Sequence, residues 1–331
     1  MSQHDFEVTG IGNAIVDVIA HADDQFLIDN QLQKGAMNLI DADRADHLYA
    51  KMGSAIQMSG GSAGNTMAGF AQLGGRAAYI GKVRDDALGS AFRQGLAEVG
   101  VQFRSRPAAD GLSTARSLIL VTPDAQRTMN TYLGACVELG PEDIDVDLIK
   151  ASKIIYLEGY LWDPPKAKEA FLKAAAVAHD AGRQVALSLS DSFCVVRHRD
   201  SFRALVRDHV DILFANESEI LALFETDSLT AALDAVGGHC DIAVVTSGAE
   251  GAIVVSGDER QRVAAEPVTR LVDTTGAGDL FAAGFLFGHS RGRSRADCAR
   301  IGAIAAAEII GHYGARPEAD LAALVKQRMG N

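Results

Sequence analysis

The chain has 331 residues, of which 48% are hydrophobic and 22% are charged, and its formal net charge is −12. This balance is typical of a globular protein and excludes a disordered or collagen-like chain. The length predicts about two domains, or one large domain with an appendage. Because the acidic surplus repels phosphate backbones, we expect no nucleic-acid partner. A site for a phosphorylated ligand would need a local positive potential within this acidic protein.

The lack of a signal-peptide pattern and the spacing of the cysteines both predict a cytoplasmic protein. The segment Met1 to Glu7 is polar and lacks the pattern of a signal peptide. The most apolar stretch, residues 301–310, is short and contains Glu308, so we expect no membrane association. The cysteines lie far apart without zinc spacing, which predicts reduced thiols at Cys136, Cys194, Cys240 and Cys298.

The first part of the chain predicts a small antiparallel sheet. Residues 15–20 alternate between apolar and polar side chains, and residues 117–122 and 127–132 flank a hairpin-turn sequence at 123–126. A helical unit at 65–73 and a strand at 77–80 separate these segments. We therefore expect a discontinuous lid formed by 14–50 and 104–134, next to a large domain formed by 1–13, 51–103 and 135–331.

The rest of the chain alternates strands and helices. An apolar run at 154–157 precedes a helical pattern that opens at Pro164 and Pro165, reaches residue 178 and stops near Gly182. Further buried strands are predicted at 185–189, 210–214, 242–246 and 252–255. This order predicts an α/β fold with a mostly parallel central sheet covered by helices on both faces.

The segment 272–279, VDTTGAGD, precedes a strongly apolar helix and predicts an anion site. Amides in the first turn of a helix are unpaired and lie at the positive end of the helix dipole, so Gly276, Ala277 and Gly278 can bind phosphate without a basic side chain. Asp279 stands in the same turn, where a carboxylate suits a general base for an incoming alcohol. The alternative is that Asp279 merely complements the dipole and the glycines allow close packing.

Two further segments carry polar residues suited to a hydroxylated ligand. In the segment 58–66, Gly60 and Gly61 allow approach to the backbone, and Asn65 offers a donor and an acceptor, although a turn with an N-cap fits equally well. Asn13 and Asp17 lie on one face of a predicted strand, where Asp17 can accept hydrogen bonds from a vicinal diol. Polar residues at a strand end are usually solvated, so this signal is weak.

The ends of two later strands predict nucleotide contacts. Asn216 and Glu219 follow the strand at 210–214, where α/β enzymes bind ligands, and suit a water-mediated contact with Mg²⁺. A capping box, with Asn216 as N-cap and Glu219 at N3, explains the same two residues. Thr246, Gly248 and Gly251 end the next strand and permit backbone approach to phosphate or ribose.

Dinucleotide and P-loop signatures are missing from the sequence. The glycines at 10 and 12 lack the third glycine of a dinucleotide fingerprint, and no GxxxxGK[ST] occurs, which excludes a P-loop enzyme and disfavours a nicotinamide oxidoreductase.

Three motifs, GGSAGNT at 60–66, TSGAEG at 246–251 and DTTGAGD at 273–279, occur in the order seen in a known family. With them the chain resembles the ribokinase-like (PfkB) family of carbohydrate and nucleoside kinases over nearly its whole length. Within that family it is most similar to the adenosine kinases, through GNAIVDV at 12–18, RTMNTYLGAC at 127–136, EGYLW at 158–162, SLSDSF at 188–193 and DILFANESE at 211–219. The resemblance implies a three-layer α/β/α fold with a small β-sheet lid.

The resemblance also implies a role for each matching residue. Asp279 corresponds to the catalytic base, and the amides of Gly276, Ala277 and Gly278 correspond to the anion hole. The implied substrate-binding residues are Asn13, Asp17, Gly60, Gly61, Asn65, the lid residue Arg127, which reaches toward the phosphate, and Tyr160, which stacks on a base. The implied ATP-binding residues are Asn216, Glu219, Thr246, Gly248 and Gly251, with Asn216 and Glu219 holding Mg²⁺ through water. The family often binds K⁺ through backbone carbonyls near this turn, and Asp273 and Thr275 occupy the matching place.

We therefore expect an ATP- and Mg²⁺-dependent kinase, monomeric or homodimeric, that phosphorylates a primary hydroxyl of a ribose-containing molecule, with adenosine as the lead substrate. A kinase for ribose, fructose or a keto-deoxy sugar acid is the alternative within the family. An acid substrate would need extra arginines, which Arg104, Arg106 and Arg116 could supply. A non-catalytic nucleotide-binding protein is the alternative from another class, and the retained Asp279 argues against it.

Overall fold

The computed structural model of the protein describes residues 5–124 and 126–330. The strands, β1 to β14 in chain order, are Phe6–Ile11, Ile15–His21, Met37–Leu39, Ile56–Ser59, Ala77–Ile80, Gln102–Phe103, Ala115–Val121, Arg127–Tyr132, Ser152–Glu158, Gln184–Ser188, Ile212–Asn216, Ile242–Thr246, Ala252–Ser256 and Glu259–Val263. The α-helices, α1 to α12, are Asp24–Asp29, Ala42–Lys51, Ser62–Gln72, Ala87–Glu98, Val146–Lys150, Pro165–Asp180, Ser192–His209, Glu217–Phe224, Leu229–Val236, Ala277–His289, Arg295–Ile309 and Leu321–Met329. Short 3-10 turns cover Gly134–Glu138, Pro141–Asp143, Gly159–Trp162 and Gly248–Glu250.

The strands form two sheets. The large sheet has nine strands in the order β14-β13-β12-β11-β10-β9-β1-β5-β6. Its pairings are parallel except at one edge, where β13 runs antiparallel to both β12 and β14. The small sheet has five strands in the order β3-β8-β7-β2-β4 and forms the lid.

Helices cover both faces of the large sheet, because its central strands are apolar on both sides. Along β9, Ile155 and Leu157 pack with the core under α5 to α9, whereas Ile154 and Tyr156 pack with the core under α3 and α10. Adjacent strand residues point to opposite faces, so a continuous apolar run must be buried twice. The predicted three-layer α/β/α fold with a β-sheet lid is therefore confirmed. Among the described residues, no helix is both long enough and apolar enough to cross a membrane.

The predicted elements of the second half are observed within a few residues of their expected bounds. Helix α6 begins at Pro165, where proline is tolerated because the first helical amides have no partner within the helix. It ends before Gly182, whose φ of 68° is left-handed, as the expected helix stop requires. In the lid, β7 and β8 form the predicted hairpin, closed by the Thr122 amide donating to the Gln126 carbonyl (3.0 Å). Ala125 of that turn lies outside the described residues.

Strands β1, β3, β4, β6 and β14 were not predicted from the sequence, and two of them, β4 and β14, share a physical reason. Strand β4 lies in the range 51–103 assigned to the large domain, but it pairs antiparallel with β2 and belongs to the lid sheet. Strand β14 was not predicted, and it pairs with β13 at the edge of the large sheet. Both are edge strands with mostly exposed side chains, so neither carries the apolar alternation that marks a strand in a sequence.

The closest helix contact lies between α10 and α11. A Cβ atom added at Gly284 would lie 2.7 Å from both the Cα and the N atom of Gly302. We expect Gly284→Ala to lower the free energy of unfolding by about 1–3 kcal/mol, because backbone atoms would have to move apart. Urea unfolding measures this loss. The control is Gly238→Ala, which has only one neighbouring atom, at 3.9 Å, and we expect it to change stability little. Equal stability of the two variants would contradict the packing described here.

Candidate active site

A cavity of about 630 Å³ lies at the carboxyl ends of the parallel strands, between the large sheet and the lid. Residues at or just after the ends of five strands reach it, and one face of the lid sheet closes it. The strand-end residues are Asn13, Glu158, Tyr160, Ser188, Asp191, Asn216, Glu219 and Thr246, and the lid residues include Ile15, Asp17, Ile19, Ser117, Ile119, Met129 and Thr131. The start of α10 forms the remaining wall.

Most of the predicted site residues line this one cavity. They are Asn13, Asp17, Gly61, Asn65, Arg127, Tyr160, Asn216, Glu219, Thr246, Thr275, Gly276, Gly278 and Asp279. Five predicted residues are not part of its wall, namely Gly60, Gly248, Gly251, Asp273 and Ala277. Fold and cavity thus bring together segments that are far apart in the sequence.

Asp279 is held by the first turn of α3. Ser62 Oγ donates to Asp279 Oδ1 (2.6 Å), and Asn65 Nδ2 donates to Asp279 Oδ2 (3.0 Å). Loss of water raises the pKa of Asp279 to about 6, while these hydrogen bonds and the charge of Arg316 oppose the rise. The carboxylate is therefore oriented, mostly ionised at neutral pH, and basic enough to accept a proton from an alcohol in the transition state.

The start of α10 leaves several amides free. Gly276 is the N-cap with a φ of 80°, and a Cβ atom there would lie 2.9 Å from Ala315 Cβ, so only glycine fits. In the described chain, the N–H groups of Gly276, Gly278 and Asp279 donate to no acceptor. The Ala277 amide differs from the expectation, since it donates to the Thr274 carbonyl (3.1 Å) and closes the turn before the helix. The free amides of this turn are thus those on either side of Ala277.

Asp17 faces the cavity from β2, next to Gly60. A Cβ atom at Gly60 would lie 2.4 Å from Asp17 Oδ2, so Gly60 serves by leaving room for the carboxylate. Burial raises the pKa of Asp17 to about 6, with Arg316 and Arg127 lowering it and Asp279 raising it. Asp17 and Asp279 are thus two carboxylates whose charges affect each other in one cavity.

Glu158, which the sequence analysis did not select, ties three segments of the site together. Its carboxylate accepts hydrogen bonds from the amide of Asn13 (3.2 Å), from Asn13 Nδ2 (2.7 Å) and from the amide of Ala63 (2.8 Å). The side chain is 1% exposed, and burial raises its pKa to about 7. The sequence signal that could have identified Glu158 is a charged residue directly after an apolar strand run.

Asn216 and Glu219 adopt the capping box that the sequence left open as an alternative. Asn216 Oδ1 accepts from the Glu219 amide (2.9 Å), and Glu219 accepts from the Asn216 amide (3.0 Å) and from Asn216 Nδ2 (2.7 Å). Both residues also line the cavity, so the box places a carboxylate at its wall. Burial raises the pKa of Glu219 to about 7. Among the described residues, no group of three or more His, Cys, Asp or Glu forms a metal site by itself.

The glycines after β12 have a structural explanation. A Cβ atom at Gly251 would lie 2.1 Å from the Val263 carbonyl oxygen, which reflects close packing against the end of β14. Gly248 starts a short turn with a φ of 53° and has no neighbour near its Cβ position. Of this segment, Thr246 lines the cavity.

Arg127 of the lid is ion-paired with Asp273, the first residue of the DTTGAGD turn. Asp273 Oδ1 also accepts from the amide (3.0 Å) and the hydroxyl (2.7 Å) of Thr275, and Oδ2 accepts from the Gly314 amide (3.3 Å). These bonds lower the pKa of Asp273 against the effect of its burial. The lid is therefore joined by an ion pair to the loop that precedes α10.

Two partly exposed aromatic side chains line the cavity. Tyr160 is 40% exposed and Phe193 is 79% exposed, although both line the cavity. Phe193 was not selected from the sequence, and the signal for it was an aromatic residue in the first turn of a helix after a buried strand. Exposed rings of this kind offer stacking surfaces for a flat ligand.

Carboxylates dominate the electrostatics of the cavity. The lining carboxylates are Asp17, Glu158, Asp163, Asp191, Glu219 and Asp279. The lining cations of the described chain, Arg127 and Arg197, pair with Asp273 and Asp163. The three arginines considered for an acidic substrate, Arg104, Arg106 and Arg116, lie outside the cavity wall, and Arg116 is paired with Asp46 beside the ring of Tyr49.

Comparison with known proteins gives a matching family and similar solved structures. The model of the family described as pfkB family carbohydrate kinase matches residues 35–321. Adenosine kinase from Sinorhizobium meliloti has 55% sequence identity to this chain, and its crystal structure gives a TM-score of 0.90. A probable sugar kinase from Rhizobium etli has 52% sequence identity, and its crystal structure also gives a TM-score of 0.90. Each match covers 98% of this chain and 99% of the other. The adenosine kinase of Saccharomyces cerevisiae is 27% identical over 304 residues, which is 85% of this chain and 88% of the yeast protein.

We expect Glu158→Ala to lower the free energy of unfolding by about 2 kcal/mol or more, because three buried donors lose their acceptor. Urea unfolding measures the change, and Glu98→Ala, at an exposed position on α4, is the matched control. Glu158→Gln, which keeps the shape and one acceptor oxygen, should lie between the two. A Glu158→Ala protein as stable as the control would show that the carboxylate does not hold this junction.

Proposed function

The chain belongs to the pfkB family of carbohydrate kinases, and we propose that it transfers the terminal phosphoryl group of ATP to the 5′-hydroxyl of adenosine. The observation that carries the proposal is the placement of Asp279. Its carboxylate stands in the same helix turn as unpaired amides, at the wall of a cavity of about 630 Å³. A base and an anion site so close together suit an alcohol attacking a phosphoryl group.

The acceptor is held between Asp17 and Asp279. Asp17 and Asn65 Oδ1, which is buried and has no partner among the described residues, accept the hydrogen bonds of the two vicinal ribose hydroxyls. This arrangement directs the primary hydroxyl to Asp279, which takes its proton as the new bond forms. Holding the sugar in this way lowers the entropic cost of reaching the reactive geometry.

The nucleotide lies along the carboxyl ends of β11 and β12, beside Thr246. Charge on the moving phosphoryl group is stabilised by the amides of Gly276, Gly278 and Asp279. Both Glu219 oxygens already accept hydrogen bonds, which fits contact with a magnesium ion through water and not direct ligation. Bound Mg²⁺ would neutralise phosphate charge, which a cavity rich in carboxylates requires. Among the described residues, no backbone N–H donates to the carbonyl oxygens of Asp273 and Thr275, so these oxygens remain for K⁺.

The cavity favours a nucleoside over a sugar acid. Phe193 and Tyr160 provide rings for a flat base, whereas the described wall has no cation without a carboxylate partner to receive an acidic substrate. A neutral sugar remains the competing acceptor, since one similar structure is named a probable sugar kinase. The cytoplasmic location and the monomeric or homodimeric state stay predictions from the sequence.

We expect Asp279→Asn to retain the fold and ATP binding but to lower kcat by about 10²–10⁴-fold, or 3–5 kcal/mol, because the variant has no base. A coupled assay of ADP release measures turnover, and thermal shift with Mg-ATP measures nucleotide binding. Asp180→Asn, at an exposed position near the end of α6, is the control. Turnover near that of the control would refute the assignment of Asp279 as the base.

The acceptor is tested by ATP-consumption assays with adenosine, other nucleosides, ribose, fructose and sugar acids. We expect the highest kcat/KM with adenosine. Phe193→Ala should raise KM for adenosine about tenfold, since stacking on a base contributes about 1–3 kcal/mol, and should leave any activity on ribose unchanged. Val196→Ala, which is exposed on the same helix and lies outside the cavity wall, is the control. A large preference for free ribose or fructose would replace adenosine while leaving the kinase activity in place.

A further inference from the structure

Arg316 lies in the loop after α11, outside the cavity wall, and the sequence analysis did not select it. Its guanidinium donates to the Ser59 carbonyl from both Nε (3.1 Å) and Nη2 (2.6 Å), to Ser59 Oγ from Nη2 (3.0 Å), and to the Gly64 carbonyl from Nη1 (2.9 Å). All of its observed acceptors are thus neutral atoms, although a guanidinium normally pairs with a carboxylate. Its positive charge is therefore available to its surroundings.

The hydrogen bonds of Arg316 join the last residue of β4 to the first turn of α3, on either side of the loop at 60–61. That turn of α3 carries Ser62 and Asn65, the two residues that donate to Asp279. A guanidinium has a planar fork of donors, so it can hold two carbonyls at a set separation, which a single ammonium group does less well. Arg316 thereby determines where the partners of Asp279 stand.

The residues next to Arg316 contact the other side of the site. The Gly314 amide donates to Asp273 Oδ2 (3.3 Å), and Ala315 packs where Gly276 lacks a side chain. The segment 314–316 therefore joins the loop that holds the acceptor to the turn that forms the anion site. Both loops must keep their relative position for a phosphoryl group to meet the hydroxyl.

The charge of Arg316 lies near both site carboxylates. It lowers the pKa of Asp17 and of Asp279 against the effect of their burial, and burial lowers its own pKa to about 10, so it stays charged. Several other titratable groups also face these carboxylates or Arg316. They are Arg127 on β8, Glu158 and Tyr156 on β9, Tyr79 on β5, Glu219 on α8, and Tyr160. Apart from Arg127, all of these are acids or neutral phenols, so Arg316 is the cation without a carboxylate partner in this group.

We propose that Arg316 is a positioning residue for phosphoryl transfer: it sets the loop that orients Asp279 and keeps a positive charge beside Asp17 and Asp279, which holds both ionised. The inference rests on the role of Asp279 proposed above. It adds a residue that touches neither substrate and acts through the two carboxylates.

The test is the pH dependence of kcat/KM for adenosine with saturating Mg-ATP. In the unaltered enzyme, activity should fall as the pH drops through about 6, where Asp17 and Asp279 take up protons. Arg316→Met removes the charge, so the acid limb should move up by about one pH unit, and the alkaline plateau should fall about 10–100-fold as the loop loosens. Arg316→Lys keeps the charge without the fork, so the acid limb should stay in place while the plateau falls. Arg300→Met, which removes an ion pair with Glu266 away from the site, is the control for stability.

The outcomes separate this inference from the assignment of the base. An acid limb that stays in place in Arg316→Met, while Asp279→Asn is inactive, overturns the role of Arg316 and leaves the base assignment standing. An active Asp279→Asn protein overturns both. Should Arg316→Met fail to fold, Arg316→Gln, which keeps donors but carries no charge, replaces it with the same expected shift.

Discussion

The site depends on the two hydrogen bonds that Ser62 and Asn65 donate to Asp279. They join residues 217 and 214 positions apart, and they bring the first turns of α3 and α10 face to face. Both helices pack on the same side of the large sheet, so their N-termini open into one cavity at its carboxyl edge. The first turn of α3 and the proposed anion site therefore share a single carboxylate. Displacement of either helix would separate Asp279, the proposed base, from its two hydrogen-bond donors.

An acidic cavity is compatible with the proposed phosphate chemistry because the proposed anion site consists of backbone N–H groups. The N–H groups at the start of α10 carry partial positive charge without adding a side chain, and their position is fixed by the helix. Each of the surrounding carboxylates has different partners. Glu158 is bound to amides, Glu219 closes a capping box, and Asp17 and Asp279 lie in the field of Arg316. A net charge of −12 is thus compatible with nucleotide binding.

Much of the fold was predictable because buried parallel strands leave a strong local signal. The runs in β9, β12 and β13 are apolar on both faces. Pro165 marks the start of α6 in the sequence, and Gly182 marks its end. The short edge strands β3, β4, β6 and β14 were not predicted, because their few residues carry too little apolar alternation and their pairing depends on strands from elsewhere in the chain. Strand β1 was not predicted either, although it is buried. The capping box at Asn216 and Glu219 was one of two interpretations, and only the three-dimensional structure shows that the boxed pair also reaches the cavity wall.

The sequence by itself determined the α/β class, the glycine-rich turns and the choice of Asp279 as the candidate base, since each depends on residues close together in the chain. Tertiary structure decided which of these residues meet. It showed that Gly251 is required by close packing against β14 and that the Ala277 amide closes a turn. It also showed that Glu158 and Arg316 join distant segments of the site through hydrogen bonds. Glu158 and Arg316 act through hydrogen bonds and charges between distant segments, and such interactions leave no periodic or local mark, because only the folded chain sets the distances on which they depend.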